Sequence, residues 1–305
     1  MNILVTGGAG FTGSTFIKYM LDKYPMYQIN VVDNLSSGNL SNLMSCHSKS
    51  NFQFFLGNIS DVFVMDLLVE ESDLIINFAD EKHEINMSTT NSIGVQNIME
   101  IISKLDTKKR FIHIGDYSVY GGYSIHPSRE EDILKPISPH AASRASADLL
   151  VNAYNHSNDI PTSIIRFSSI YGGYQSPKAY IPNMIISMIK DEEFCVPNGN
   201  YELMHVLDQC RIIDKVIHSS RKFSTLNAGS GYRCSMTEVA HIIRKILKKD
   251  CPIIVDRISK PIQHGVSSDR AMFELGKYKA IDINDGLAQT IKWYISNVDW
   301  WRNLI

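Results

Sequence analysis

The sequence predicts an α/β fold, a doubly wound parallel sheet followed by a smaller C-terminal lobe. Three observations carry that expectation. Up to about residue 165, short apolar runs alternate with segments of helical periodicity, as in repeated βα units that place parallel strands between two helical layers. The first apolar run leads straight into a glycine-rich turn and a helix. Beyond residue 168 the alternation loosens into loops carrying Gly, Pro and Ser around separate helices.

In chain order, residues 3–5 form a short apolar run that reads as a fully buried strand. Gly7, Gly10 and Gly13 follow, then a helical pattern over residues 12–23 with Phe16, Met20 and Leu21 recurring at helical spacing. Glycine is needed in such a turn because a Cβ would block both the tight bend and the approach of backbone N–H groups to a pyrophosphate at the helix N-terminus. A second strand, residues 28–32, ends at Asp33. An acid about twenty residues past the last motif glycine accepts hydrogen bonds from an adenosine ribose. Strand, glycine turn, helix, strand and acid together predict a Rossmann-type dinucleotide site, with Phe11 and Thr12 at the helix start and Asn34 beside the acid. Asp33 favours NAD over NADP because it would repel a 2′-phosphate, and residues 34–37 carry no Arg or Lys to hold one.

Further strands are expected over residues 52–56, 74–78, 110–114 and 162–167, and helices over 92–105 and 140–155. Residues 1–167 thus read as the NAD-binding domain, with segments near 205–230 returning to it. Residues 168–305 form mainly the second lobe, over the strand C-termini where α/β sheets bind ligands. That lobe has helical patterns near 182–190, 236–248 and 284–298 and a β-like stretch at 252–256.

The chain has 305 residues and a net charge of −2, which argues against a nucleic-acid or polybasic membrane surface. No apolar run reaches transmembrane length, and a strand begins at residue 2 where a signal peptide would lie. The five cysteines show no paired CxxC spacing, as expected of a reduced, cytoplasmic protein. The histidines show no metal-ligand spacing.

The motifs resemble those of the extended short-chain dehydrogenase/reductases, and within them the nucleotide-sugar 4,6-dehydratases and 4-epimerases. Gly7-Gly8-Ala9-Gly10-Phe11-Thr12-Gly13 is similar to GGAGFIG, and Gly57-Asn58-Ile59-Ser60-Asp61 to GDIxD. Phe78-Ala79-Asp80-Glu81-Lys82-His83 resembles FAAESH, and Asn91 sits as in TNVxGTxN. Residues 110–121 resemble RFVHxSTDEVYG, and residues 166–172 resemble RxSNxYG. The resemblance spans almost the whole chain. It implies NAD held by the glycine turn, Asp33, Asn34, Asn58, Ile59, Asp61, Phe78, Ala79 and Asp80, and a nucleotide-sugar substrate near Glu81, His83, Ser118, Ser169 and Arg257. It also implies a homodimer paired through the helices at 92–105 and 140–155, where Val95, Ile98, Met99, Ile102, Leu149, Leu150 and Val151 recur.

In that family a Tyr takes the proton of a sugar C4 hydroxyl while hydride passes to the nicotinamide, and a Lys four residues on lowers the Tyr pKa and holds the nicotinamide ribose. Here His140 and Arg144 stand at those positions, Asp116 at the Ser/Thr position, and Tyr117 and Ser118 where dehydratases carry an Asp-Glu pair. The double exchange is chemically intelligible. Histidine, with an ordinary pKa of about 6.5, serves as a general base near neutrality without a neighbouring cation. Arginine stays charged and offers a planar fork of donors to ribose hydroxyls. His140, Arg144, Asp116 and Tyr117 are therefore the candidate catalytic residues, with Asp116 expected either to orient His140 or to accept a ribose or sugar hydroxyl, and Tyr117 as a further proton donor. Two functions fit: oxidation at C4 of a nucleotide-activated hexose, expected to be derived from a UDP-N-acetylhexosamine, with associated dehydration, epimerisation or proton transfer at C5, or a non-catalytic module that binds NAD or the sugar nucleotide.

Overall fold

A run of consecutive apolar residues has no polar face to turn to water, so it must be covered on both sides, and the first strand meets that condition. β1 (Asn2–Thr6) carries Ile3, Leu4 and Val5 fully buried. The computed structural model describes residues 1–82, 84–107, 109–122, 126–219, 225–256, 262–263 and 265–305. After β1 come α1 (Phe11–Lys23), β2 (Gln28–Asp33), β3 (Phe52–Leu56), α2 (Val62–Glu70), β4 (Leu74–Asn77), α3 (Glu84–Ser88), α4 (Val95–Lys104) and β5 (Arg110–Asp116). A π-helical turn, Thr89–Gly94, leads into α4, and a 3₁₀ turn, Tyr117–Tyr120, follows β5. Next are α5 (Pro139–Asn158), β6 (Thr162–Phe167), β7 (Ser169–Tyr171), α6 (Tyr180–Lys190), β8 (Phe194–Pro197), β9 (Gly199–His205) and α7 (Val206–Ile217). The chain closes with β10 (Thr225–Ala228), β11 (Arg233–Ser235), α8 (Met236–Leu247), β12 (Ile253–Asp256), β13 (Ile262–Gln263), α9 (Asp269–Leu275), α10 (Ile283–Ser296) and α11 (Val298–Arg302).

Among the described residues, seven strands form one sheet in the order β10-β6-β5-β4-β1-β2-β3. The pairs β1–β2, β2–β3, β1–β4 and β4–β5 are parallel, so the fold is the doubly wound one expected. Strand order reverses between β1 and β4, and ligands of such sheets bind beyond the strand C-termini at that point. The chain divides into two compact units: residues 1–121, 130–166 and 214–226, and residues 122–129, 167–213 and 227–305. In the first, Leu4, Ile75, Phe111, Ile98, Met99 and Val151 belong to one buried cluster that joins the sheet to α4 and α5. In the second, β9 pairs with β7, β11 and β13, and Tyr171, Leu203, Val239, Leu287 and Trp301 share a core.

Local chemistry places the helix starts. Ser138 caps α5 by accepting from the Ala141 N–H at 3.1 Å, with Pro139 in the first turn where its missing N–H costs nothing. Ser235 and Glu238 form a reciprocal capping box on α8. Asp61 caps α2, accepting from the N–H groups of Phe63 and Val64.

The structure adds elements the periodicity did not announce. α2 is apolar on most of its circumference, with Phe63 and Leu67 exposed, and an apolar run without a polar face has no readable period. β9 and α7 bury Glu202, His205, Asp208 and Gln209, polar residues that break the alternation a sequence reading relies on. No described helix is long and apolar enough to cross a membrane.

Gly7 has φ +67°, and a Cβ there would lie 2.5 Å from the Ala79 backbone nitrogen. Gly7→Ala is expected to destabilise the first unit by roughly 2 kcal/mol or more, the sum of left-handed strain and a backbone clash. Thermal unfolding followed by circular dichroism checks this, and an unchanged midpoint would show that the loop relaxes freely.

Candidate active site

Two strand ends make the floor of the site. Beyond β1, Gly7 crosses against Ala79, and a Cβ on Gly13 would strike the Gly7 carbonyl oxygen at 2.6 Å. Gly10 is the N-cap of α1 and no side chain caps that helix end. First-turn N–H groups of an uncapped helix present a positive end to an anion. Phe11 and Thr12 stand in this first turn. Asp33, at the end of β2, is buried and accepts from the N–H of Ala9 at 2.9 Å and of Leu35 at 2.8 Å. Burial pushes its carboxyl pKa up, and those two backbone donors oppose the shift. Asp33 thus shapes the glycine loop as well as offering its remaining lone pairs. Asn34 is exposed and holds its own turn by accepting from the Ser36 N–H.

Beyond β4 the chain continues through Phe78, which packs on Phe16 with ring centroids 5.3 Å apart, and Ala79 to Asp80. His140, in the first turn of α5, places Nε2 2.7 Å from Asp80 Oδ1. One turn further, Arg144 places Nη1 3.7 Å from the same oxygen and donates from Nη2 to the Ile114 carbonyl. Burial of Asp80 works against its ionisation, but the Arg144 guanidinium and the His140 hydrogen bond outweigh it and hold the carboxyl well below the usual carboxylate range. An ionised Asp80 accepts a proton-bearing Nε2, which leaves Nδ1 as the basic nitrogen of a neutral His140. Arg144 is 5% exposed, and its Nε and Nη1 are buried with no hydrogen-bond partner among the described residues. Nη1 keeps the Asp80 carboxylate as its ion-pair partner, and Nε is a buried donor of a cation that can serve an acceptor on a ligand.

Asn91, in the π-helical turn, fixes the distance across this cluster. Its Oδ1 accepts from the Glu81 N–H at 2.8 Å, and its Nδ2 donates to the Glu81 carbonyl at 2.9 Å and to Ser143 Oγ at 3.0 Å. Ser143 Oγ donates in turn to the His140 carbonyl at 2.8 Å. The segment after β4 and the first turn of α5 are thereby clamped on either side of the His140–Asp80 contact. Gly94 keeps that turn compact, since a Cβ there would collide with Ile59.

The structure corrects one pairing. Asp116 does not orient His140; it caps the 3₁₀ turn after β5, accepting from the Ser118 N–H at 2.7 Å, and the carboxylate on His140 is Asp80. Tyr117 and Ser118 lie in that turn, half-buried, and Ser118 Oγ is buried with no hydrogen-bond partner among the described residues. Glu81 is buried beside Asp80, and its Oε1 accepts from the Lys82 N–H. Asn58 accepts from the Ser60 N–H, Ile59 is a core residue, and Asp61 serves as the α2 cap. Ser169 opens β7 in the second unit. His83 and Arg257 lie outside the described residues. The apolar residues expected to join two copies are largely spent within the protomer: Val95, Ile98, Met99, Ile102 and Val151 are core, and among those named Leu149 is exposed and Leu150 half-buried. Among the described residues no cluster of His, Cys, Asp or Glu is placed to hold a metal ion.

The role of Asp80 was hidden in the sequence because sixty residues separate it from His140, and its motif drew it to the cofactor. The available signal was an acid immediately after the Phe78-Ala79 pair, at a strand end that the glycine turn also reaches. A dinucleotide fits the residues present: a cradle that Cβ atoms would fill, an uncapped helix N-terminus, a buried acid at the end of β2 and an arginine whose Nε makes no hydrogen bond among the described residues.

Residues 4–277 match the family model described as GDP-mannose 4,6 dehydratase. The chain is 30% identical to a dTDP-glucose 4,6-dehydratase of Streptomyces niveus, over 100% of this chain and 96% of that protein. Its fold superposes with a TM-score of 0.94 on dTDP-glucose 4,6-dehydratase from Bacillus anthracis solved in complex with NAD, at 31% identity and 100% coverage of both chains. It superposes with a TM-score of 0.93 on the dTDP-glucose 4,6-dehydratase DesIV of Streptomyces venezuelae, at 29% identity and again over the whole of both chains. The chain belongs to the GDP-mannose 4,6 dehydratase family, enzymes of the extended short-chain dehydrogenase/reductase class.

Proposed function

We propose that this chain is an NAD-dependent enzyme acting at C4 and C5 of a nucleotide-activated hexose, with His140 as its acid–base residue. The observation that carries the reading is the 2.7 Å contact between His140 Nε2 and Asp80, beside Arg144 in the first turns of α5. The nucleotide-sugar substrate is supported by the dTDP-glucose 4,6-dehydratases that the chain resembles over its full length. We place UDP-N-acetylhexosamines first among the sugars to be tried, followed by dTDP-glucose.

Gly7, Gly10, Gly13 and the α1 N-terminus would hold the pyrophosphate, Asp33 the adenosine ribose and Arg144 the nicotinamide ribose. When bound, NAD supplies a hydride acceptor for C4. As the C4–H bond breaks with its electron pair, His140 Nδ1 takes the proton of the C4 hydroxyl and the C4 carbonyl forms. Asp80 stabilises the imidazolium that results, the division of labour of a base and its orienting carboxylate. With C4 oxidised, the proton at C5 is acidic, and epimerisation, dehydration or proton transfer there becomes accessible. Tyr117 and Ser118, where a dehydratase carries carboxylates, weigh toward proton transfer at C5 over loss of water.

His140→Ala is expected to lower kcat by roughly 10²–10⁴-fold and to leave NADH binding nearly intact. Asp80→Asn should lower kcat by roughly 10²-fold through loss of orientation, with a smaller change in KM. His140→Tyr combined with Arg144→Lys restores the family pair yet should lose native activity, because a phenol beside Asp80 meets an anion where it needs a cation. These are read by absorbance near 340 nm and product mass spectrometry. Normal turnover by His140→Ala would place the base elsewhere, with Tyr117 the next choice. A wild type that turns over nothing in a broad nucleotide-sugar screen while binding NADH would favour the non-catalytic module.

In titration, NADP should bind about tenfold or more weakly than NAD, since its 2′-phosphate would face the buried Asp33 carboxylate; equal affinities would remove Asp33 from the ribose site. We further propose that two copies pair through the outer faces of α4, α5 and the preceding turn, where Ile93 is 52% and Leu149 61% exposed. Light scattering at micromolar concentration should return the mass of a dimer, and a monomer would end that proposal.

A further inference from the structure

The segment after β2 grips the glycine turn from outside, and the proposed chemistry does not use it. The chain leaves Asp33, passes through Gly38 and forms a 3₁₀ turn, Leu40–Cys46. Asn39 starts that turn, its Oδ1 accepting from the Ser41 N–H at 2.9 Å, and buried Leu43 and Cys46 anchor it. Two groups of this segment donate to one oxygen, the Ala9 carbonyl. They are the Asn39 N–H at 3.0 Å and Asn42 Nδ2 at 2.8 Å. Asn42 is 4% exposed. Its own N–H donates to the Asn39 carbonyl at 2.9 Å. The Ala9 N–H donates to Asp33 Oδ2 at 2.9 Å, and the Gly10 N–H donates to the Gly7 carbonyl at 3.2 Å. Gly38 lies against the same place, since a Cβ there would stand 2.8 Å from Asp33 Oδ1 and 2.9 Å from the Ala9 Cβ.

We propose that Asn42 is a positioning residue for the pyrophosphate: by holding the Ala9 carbonyl outward it keeps the N–H groups of the glycine turn facing the anion. This rests on the cofactor reading given above. The Ala9–Gly10 peptide immediately precedes α1, whose first N–H groups, those of Phe11 and Thr12, the helix itself leaves unused. A peptide unit is planar, so its oxygen and its N–H turn together. Here the oxygen is held by Asn42 and Asn39, and the nitrogen by Gly7. A rotated peptide would set its oxygen against the Gly7 carbonyl, inside the turn, and its negative end would oppose a phosphate there. Successive N–H groups attract an anion only while no carbonyl intervenes. Glycines at 7, 10 and 13 bring no side chain to resist that rotation, so the restraint has to come from another segment. Asn42 supplies it across 33 residues of sequence, at a point where the backbone donor of Asn39 occupies one lone pair and the amide the other. Anchoring the 3₁₀ turn does not call for an amide, since Leu43 and Cys46 anchor it by apolar burial.

The test uses the whole protein with three probes: NADH, followed by fluorescence titration, and ADP and adenosine, each competing against it. All three carry the adenosine ribose assigned to Asp33, but only NADH and ADP carry a pyrophosphate. Asn42→Leu has nearly the same volume and no donor. It should weaken NADH and ADP about tenfold each and leave adenosine within about twofold of wild type. A purely structural role would lower the thermal midpoint and would not separate ADP from adenosine. Wild-type affinity for ADP in Asn42→Leu, or equal weakening of ADP and adenosine, overturns the proposal. If Asn42→Leu does not fold, Asn42→Ala, which removes the donor without adding bulk, must show the same separation, and its absence there overturns the proposal equally. A wild-type protein that binds neither NADH nor ADP strikes the cofactor assignment itself, a separate outcome.

Discussion

The Asp80 carboxylate is the charge on which the site depends. It stands at the end of β4, where the sheet's strand order reverses, and it holds two side chains from successive turns of α5. A carboxylate in so confined a place is costly unless paired. Arg144 supplies a permanent charge and His140 a hydrogen bond, and together they keep Asp80 ionised despite burial. The same contacts orient the imidazole and draw the arginine inward, so that its remaining donors stay buried beside the strand ends.

Under the proposed function, that arrangement gives the exchange of Tyr and Lys for His and Arg a single physical reason. A phenol becomes a base only when a neighbouring cation lowers its pKa. An imidazole needs the opposite neighbour, an acceptor that fixes its tautomer and supports the proton it gains. Asp80 is such an acceptor, and Arg144 balances its charge. Changing one member of the pair alone would leave either a phenol facing an anion or an imidazole crowded by a mobile ammonium. The two positions are coupled through a third residue that neither motif names.

Around this centre, the fold supplies rigidity by two means. Glycines allow backbone to lie on backbone where β1 and β4 end, as Gly7 does against Ala79. Side-chain amides then add contacts that the backbone does not make: Asn91 joins the Glu81 peptide to Ser143, and Asn77 links Thr6 and His113 across strands that are already paired. Amides suit this work because each offers both donors and acceptors. The second unit is held more conventionally, by an aromatic and aliphatic core in which Trp301 donates to the Tyr294 carbonyl.

The sequence by itself determined what is local. Strands β3 and β6 begin and end at residues 52–56 and 162–167, as the short β-prone runs in the sequence predict. The glycine turn, the acid at the end of β2 and the Ser-Pro start of α5 were legible because each is a short segment with one conformation that suits it. Tertiary structure alone decided the partners. His140 was expected to meet Asp116, which lies nearer in sequence, but Asp116 turns back to cap its own strand end and the approach of α5 to β4 gives His140 to Asp80. The buried faces of α4 and α5 went to the protomer's own core, where helical periodicity could not tell one apolar neighbour from another. Periodicity records that a face is to be buried. Which chain segment arrives to bury it, and which charge it brings, depends on how the units of the sheet are wound together in space.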